Sequence, residues 1–349
     1  GIVTALFAGE KPFDLLYHAA YLSRDLALNG LLLDQKKISA INLNAPQFKK
    51  AAAFIDGMTF KGKVYGSAFG SEIDKSTVVF CNQTVIDTYA GKGKYDMLDI
   101  YKKGQWTVDK FREIAKACTK LDGSGKTVVW GAAEGIGNGT FLTAYAGGTV
   151  TRDAQGRYSP AMLSDAGVQA IEFLRKLQFE DKSWISSNGI EMFKKGTVAM
   201  TTLNLSEAAN MVPATKGDVV ALPVPKAPTQ SKHLLGARGY YYMIPKSVKN
   251  ADLIGRIYME MSTMDMEKYY LSLFTNTGMT EENGKLALQN FPGYFRAEFV
   301  DGVEVLRFHS KIVEICNSPT GSVKAGFDAV RPQFEAAIED CYSREANLK

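Results

Sequence analysis

Along this chain the spacing of apolar residues switches repeatedly between short continuous runs and 3.6-residue stripes. Asp14-Leu15-Leu16-Tyr17 predicts a short strand, and Ala19 to Asn29 a helix stopped by Gly30. The β-branched run Thr77 to Cys81 predicts another strand. Thr107 is placed to cap a helix whose apolar positions Phe111, Ile114, Ala115, Cys118 and Leu121 share one face, with Gly123 past its end. Thr127 to Trp130 reads as a strand. Ser164 reads as the cap of a helix with Val168, Ile171, Leu174 and Leu177 in one stripe. Strands follow at Thr197 to Thr202, Val219 to Val224 and Tyr240 to Ile244, the last ended by Pro245. From Asp252 onward the pattern is almost wholly helical. Strands alternating with helices predict an α/β fold.

The proline-rich piece Leu222 to Pro228, continued by Thr229 to Lys232, reads as an extended linker between two strands. Gly236 and Gly239 flank Arg238 just before the Tyr240 strand, giving the backbone freedom to bend. At 349 residues the chain exceeds the roughly 250–300 that one core organises, so two lobes are expected. Hydrophobic residues at 46% and charged residues at 22% exclude a disordered or collagen-like chain. The net charge of +4 is spread without a basic cluster, so no nucleic-acid partner is expected. Apolar runs such as Ile2 to Ala8 fall far short of the ~20 residues of a membrane helix.

Four cysteines (Cys81, Cys118, Cys316, Cys341) and three histidines (His18, His233, His309) show neither C-x-x-C nor H-x-x-x-H spacing, which gives no zinc or redox motif. Cys81 and Cys118 read as core thiols, and whether Cys316 pairs with Cys341 is left open. Gly123-Ser124-Gly125-Lys126-Thr127 resembles the end of a phosphate loop. Lys120 stands where the first glycine belongs, however, and a strand follows, so a polar turn is the reading. Gly135-Ile136-Gly137-Asn138-Gly139 lacks the third glycine of a dinucleotide fingerprint, because Thr140 stands there. No nucleophile–base pair, metal set or cofactor motif appears, so neither catalysis nor a cofactor is expected.

Six segments in order resemble extracellular solute-binding protein family 1 of ABC importers, the group that contains maltose-binding protein. Lys61-Gly62-Lys63-Val64-Tyr65-Gly66 is similar to the family's kGKvYG segment, and Val79-Phe80-Cys81-Asn82 to its yYN strand. Trp106-Thr107-Val108-Asp109-Lys110-Phe111 is similar to the WTwdkF start of a helix, where Trp106 reads as a packing anchor before a ligand stacker. Phe193-Lys194-Lys195-Gly196-Thr197-Val198-Ala199-Met200 is similar to the F.kGkvAM approach to a strand. Gly217-Asp218 with Leu222-Pro223, and Tyr242-Met243-Ile244-Pro245-Lys246, complete the series over about residues 10 to 280.

The resemblance implies a two-lobed, periplasmic-binding-protein-like fold whose lobes close over a solute about three crossings. These are expected near Lys75–Val78, Gly236–Tyr240 and Thr275–Thr280, giving lobe 1 as 1–77 plus 238–278 and lobe 2 as 78–237 plus 279–349. Cleft candidates implied by the resemblance are Tyr17, His18 and Tyr21 after the first strand, and Glu72, Asp74 and Lys75 at the first crossing. Asn138 and Thr140 in the glycine-rich loop, and Asn204 and Glu207 beyond Thr202, join them. Arg238 and Tyr240 stand at the second crossing, and Phe327, Asp328 and Arg331 open the last helix. Relatives often carry a stacking tryptophan after the Thr202 strand, and none stands here. His18 reads equally as a satisfied strand-end residue, Phe327 as helix core and Glu207 as a solvated charge. Tyr240-Tyr241-Tyr242 must alternate faces, and Pro332 should kink or restart the last helix.

The implied function is capture of a small solute, most readily a sugar or oligosaccharide, by a monomeric extracellular component of an ABC importer. Its partners would be the permease subunits, and it would be lipid-anchored or periplasmic. A sensing role for a signalling receptor and a non-sugar anionic solute are the alternatives. Gly1 to Leu6 reads as the end of a helix, whereas relatives have a strand, a helix and a strand before this point. A precursor with roughly 50 or more further residues and a signal peptide is therefore expected.

Overall fold

Val198–Asn204 is buried along all but its last residue, the signature of a strand covered on both faces. In the computed structural model it sits at the centre of a six-stranded mixed sheet. The structure describes residues 2–348 apart from 11–12, 50, 70–76, 135–138, 149, 153–156, 238–239, 291–294, 298–310 and 312. In chain order the strands are β1 (Leu16–Ala19), β2 (Thr59–Phe60), β3 (Lys63–Val64), β4 (Thr77–Asn82), β5 (Lys120–Leu121), β6 (Thr127–Glu134) and β7 (Thr151–Arg152). They continue with β8 (Tyr158–Ser159), β9 (Trp184–Ile185), β10 (Val198–Asn204), β11 (Val219–Pro223), β12 (Leu235–Ala237), β13 (Tyr240–Met243) and β14 (Phe295–Ala297).

The main sheet runs β11-β4-β10-β6-β5, with β9 also on β6. β10, β6 and β9 are parallel, while β4 runs antiparallel to both β10 and β11. Thr107 caps the helix Val108–Cys118 by accepting the Lys110 N–H, and that helix buries Phe111, Ile114, Ala115 and Cys118 as its stripe predicts, whereas Leu121, read into the same stripe, lies past the helix end in β5 and is exposed. Ser164 caps Asp165–Arg175 in the same way. Trp106 is wholly buried and donates its indole N–H to the Pro223 carbonyl at 2.7 Å, which makes it the packing anchor. The Gly123–Thr127 segment is the β5–β6 turn: the Asp122 carboxylate accepts the Ser124 and Lys126 N–H groups and the Ser124 hydroxyl. These bonds hold the Asp122 carboxyl below the usual range.

The interior is divided. One core fills the main sheet and its helices from Val78 to Ala227 and takes in Phe327 and Phe334 of the last helix. Two smaller cores gather the first 69 residues with Tyr241, Met243, Ile244 and Tyr258. This mixed α/β, two-lobed layout follows from one apolar set being too large for a single centre.

Several details depart from the sequence reading. The first strand begins at Leu16, two residues late, because Tyr240–Met243 is its only described partner and fixes where the ladder starts. The helix Met266–Asn276 was expected with lobe 1, yet its Tyr270 and Phe274 lie in the larger core. The proline-rich piece is packed: Val224 and Ala227 are buried, Lys226 bonds to the Trp106 backbone, and Thr229 and Gln230 donate to the Tyr145 carbonyl. β14 interrupts the helical C-terminal region by pairing with β12. The last helix, Val323–Ala346, continues through Pro332 without restarting, and Cys316 is a free, buried thiol. Burial pushes the Cys118 and Cys316 thiols up to about 12, and Cys81 higher still.

Candidate functional site

β1 and β13 pair antiparallel with Leu16 opposite Met243, Tyr17 opposite Tyr242, His18 opposite Tyr241 and Ala19 opposite Tyr240. Opposed residues share a face, so alternation sorts the two strands. Leu16, Tyr241 and Met243 are buried in the smaller lobe. Tyr17, Tyr240 and Tyr242 occupy the other face, where Tyr17 is 41% exposed. The Tyr17 ring lies 5.4 Å from Tyr240 and 4.5 Å from Tyr242, and Tyr242 stacks on Phe69 at 5.1 Å. The result is a row of rings, anchored at its Phe69 end and open at Tyr17.

A polar network fixes that row. The Tyr242 backbone exchanges hydrogen bonds with Ser67 and accepts the Gln35 amide at 2.8 Å. The Ser67 hydroxyl donates to Gln35 Oε1 at 2.6 Å and lies 2.7 Å from the Tyr258 hydroxyl. The Ser67, Gln35 and Tyr258 side chains are buried and hydrogen-bonded, so β13 has little freedom to slide.

The larger lobe contributes an edge. Register places Asn204 opposite Thr77, Thr202 beside Glu134, and Ile185 beside Ala133. The carboxyl ends of β6, β9 and β10 therefore lie together, at the end where β4 begins and β11 finishes. In open α/β sheets, ligands sit outside the carboxyl ends of the parallel strands. Glu134 is buried there, with the Thr202 hydroxyl donating to its Oε1 at 3.1 Å. Its charge adds to the burial that raises the Cys316 thiol.

Of the sequence candidates, Tyr17 and Tyr240 are brought together by the ring row. His18 shares the opposite face of β1 with buried Leu16, and its carbonyl accepts the Ser23 hydroxyl. Tyr21 lies in the helix Ala20–Leu28, with its side chain outside the described residues. Thr140 is buried in Gly139–Ala146, and Asn204 and Glu207 are half-buried at and beyond the end of β10. Phe327 is fully buried in the larger core, so its ring has no open face for a ligand. Asp328 and Arg331 pair with each other at 3.4 Å, and Arg331 donates to the Leu163 carbonyl at 2.9 Å. That pair is engaged in holding the last helix. Glu72, Asp74, Lys75, Asn138 and Arg238 lie outside the described residues, as does Gly239. Tyr242 and the Glu134–Thr202 pair were not singled out from sequence. Their signals, a tyrosine two places from Tyr240 and an acid ending a strand, become meaningful only with the register known. Two surface grooves of about 480 and 240 Å³, beside His233 and Arg175, hold none of the candidates.

The family model of the bacterial extracellular solute-binding protein matches residues 2–259. The chain belongs to that family. A search of curated protein sequences gives no match. Among solved structures, this solute-binding protein is similar to the maltose/maltodextrin-binding domain MalE of Bdellovibrio bacteriovorus bound to maltotriose. The identity is 15% and the TM-score 0.69, over 97% of this chain and 88% of that one. It is also similar to UgpB of Mycobacterium tuberculosis in complex with glycerophosphocholine, at 12% identity and TM-score 0.70 over 98% and 87%. The GacH receptor of Streptomyces glaucescens, solved unliganded and with acarbose, matches at 15% and 0.66 over 97% and 86%. At such identities the likeness concerns the fold, which is that of the two-lobed binding proteins. Among the described residues no helix is long and apolar enough to cross a membrane.

Proposed function

We propose that this solute-binding protein captures a carbohydrate between its lobes and hands it to the permease subunits of an ABC importer. The observation that carries the reading is the open row Tyr240–Tyr17–Tyr242. Tyrosine faces match the apolar C–H faces of a sugar ring, and their hydroxyls reach its oxygens. At the carboxyl edge the half-buried Asn204 side chain supplies an acceptor and donors from the larger lobe, backed by the buried Glu134–Thr202 pair. Lobe 1, as we draw it, gathers the segments up to Thr77 and from Tyr240 to Ser262. The lobes close about the links near Thr77, Gly236–Tyr240 and Ser262–Met266. The protein acts outside the cytoplasm as a monomer.

The similarity to a structure bound to glycerophosphocholine, a zwitterion that carries an anionic phosphodiester, favours a second reading, a solute with an anionic group, for which Lys75 and Arg238 are candidate cations in the sequence. A thermal-shift screen against neutral mono- and oligosaccharides, acidic sugars and glycerophosphocholine separates the two. A ligand at a hundred times its dissociation constant stabilises by about 2.7 kcal/mol, a clear rise in melting temperature. Stabilisation by neutral saccharides supports the first reading. Stabilisation by glycerophosphocholine or acidic sugars alone replaces it with the second. Permease genes beside the coding sequence favour import over sensing.

A further inference from the structure

The last helix, Val323–Ala346, begins in one lobe and ends on the other. Its Val323, Phe327, Val330, Phe334 and Ile338 lie in the larger core. Just past its end, Leu348 joins the small core built on Leu16, Leu26 and Phe54, and the Lys61 ammonium donates to the Ala346 and Leu348 carbonyls. Where the helix makes this passage, the Arg24 guanidinium donates to Glu345 Oε1 at 2.6 Å, with the two side chains 6% and 16% exposed. The same oxygen accepts the Tyr158 hydroxyl at 2.7 Å. The Arg24 guanidinium carbon lies 4.7 Å from the centre of the Tyr158 ring and 5.3 Å from that of Phe60. Tyr158 belongs to the larger core and Phe60 to the smaller, so one cation contacts an aromatic face from each lobe. Arg344 pairs with Asp25 at 3.2 Å, and the Tyr342 hydroxyl accepts the Tyr158 N–H.

We propose that the Arg24–Glu345–Tyr158 cluster is a latch between the lobes, whose making and breaking sets the balance between lobe arrangements and hence the affinity for solute. The proposal rests on the two-lobed solute-binding reading. The covalent links between the lobes leave their angle free, whereas this cluster joins residues 321 positions apart and tolerates little rotation. A bidentate-capable guanidinium held at hydrogen-bond distance cannot stretch by several ångströms and stay bonded, so a rigid-body rotation of the lobes must break it. Breaking it exposes a cation and a carboxylate that are desolvated when it is made. The latch therefore contributes a free-energy difference between the two arrangements, which is what shifts populations. A solute that favours the latched arrangement binds more weakly when the latch is removed, in proportion to the lost population.

Spin labels at Lys49→Cys and Lys126→Cys, in a Cys341→Ser background, report the distance between the lobes without any ligand. Both positions are exposed, while Cys81, Cys118 and Cys316 are buried and unreactive. Glu345→Gln removes the charge, Tyr158→Phe removes one hydroxyl and keeps the ring, and Arg24→Lys keeps the charge without the planar fork. The expected result is a displaced or broadened distance distribution in Glu345→Gln, with a smaller change of the same sense in Tyr158→Phe. Distributions that superimpose on the parent in both variants overturn the latch. Should Glu345→Gln fail to fold, Tyr158→Phe and Arg24→Lys decide by the same criterion. The ligand screen is independent of these residues. Shifted distances with no sugar hit refute only the carbohydrate reading, and unshifted distances with a sugar hit refute only the latch.

Discussion

Gly131 and Ala115 approach so closely that a β-carbon on Gly131 would stand 1.9 Å from the Ala115 carbonyl oxygen. The helix Val108–Cys118 lies directly on β6 at this point, and Thr119 caps the contact by accepting the Gly131 N–H at 3.2 Å. Because the obstacle is backbone, a side chain here can be accommodated only by moving the helix. Gly131→Ala is expected to destabilise the larger lobe by about 3 kcal/mol, at the upper end of overpacking costs. Urea unfolding followed by tryptophan emission measures it, and a midpoint equal to the parent's contradicts the packing described.

Tyr17 is the open member of the ring row, so truncating it removes ligand surface without opening the core. Tyr17→Ala is expected to weaken binding of the saccharide found by screening by roughly tenfold, about 1.4 kcal/mol, with the melting temperature of the free protein little changed. Tyr242→Ala should instead lower that melting temperature, since its ring also packs on Phe69 and Tyr258. Calorimetric titration showing undiminished affinity for Tyr17→Ala removes this face from the site.

Asp181 is almost wholly buried and accepts Arg112 Nε at 2.5 Å, Arg112 Nη2 at 3.0 Å and Lys116 Nζ at 3.0 Å. Burial raises its pKa, but the hydrogen bonds and charges of Arg112 and Lys116 outweigh that and leave it lowered. A carboxyl depressed in the folded state stabilises fully above its unfolded value near 3.9, and the benefit is lost as pH falls through the folded value. Asp181→Asn should therefore cost about 1–2 kcal/mol at pH 7, allowing for the partial exposure of both cations. Denaturation curves should converge with the parent's as pH falls through the lowered folded value. A deficit that is constant down to pH 2 would point to lost packing instead.

His233 loses stability in the same direction of pH, but by a different route. Its burial lowers its pKa, with Lys226 adding to the effect, against the hydrogen bond of 2.9 Å between Nδ1 and the Val224 carbonyl. With the folded value below the unfolded value of about 6.5, the unfolded chain takes up the proton first, so stability declines as pH falls through 6.5. Melting temperatures between pH 7.5 and 5.5 should fall less steeply in His233→Asn than in the parent. Identical slopes would show that the titration lies elsewhere.

The elements that were legible in the sequence are those decided locally. Thr107, Ser164 and the stripes behind them announce two helices, because a cap and its first turn lie within a few residues. The ordered motifs from Lys61 to Lys246 point to the family for the same reason. What depends on a distant partner was hidden. The stripe that buries Phe274 does not say which core receives it, and Tyr242 became a site residue only once β1 was known to lie opposite. Phe327, a ligand candidate by resemblance, is filled in from all sides by the larger core. The proline-rich piece looked free because its composition carries no trace of the Trp106 and Tyr145 backbone groups that hold it.

The division of the aromatic residues gives the two lobes separate optical signatures. All three tryptophans, Trp106, Trp130 and Trp184, belong to the larger core or pack against it, whereas the smaller lobe holds the row of Tyr17, Tyr240, Tyr242 and Tyr258. Emission excited at the red edge of absorption thus follows one lobe alone. Near-ultraviolet dichroism adds the tyrosines of both. If the smaller lobe loosens before the larger one, the tyrosine signal will fade while the tryptophan spectrum stands still, and two melting events will be visible in one unlabelled sample.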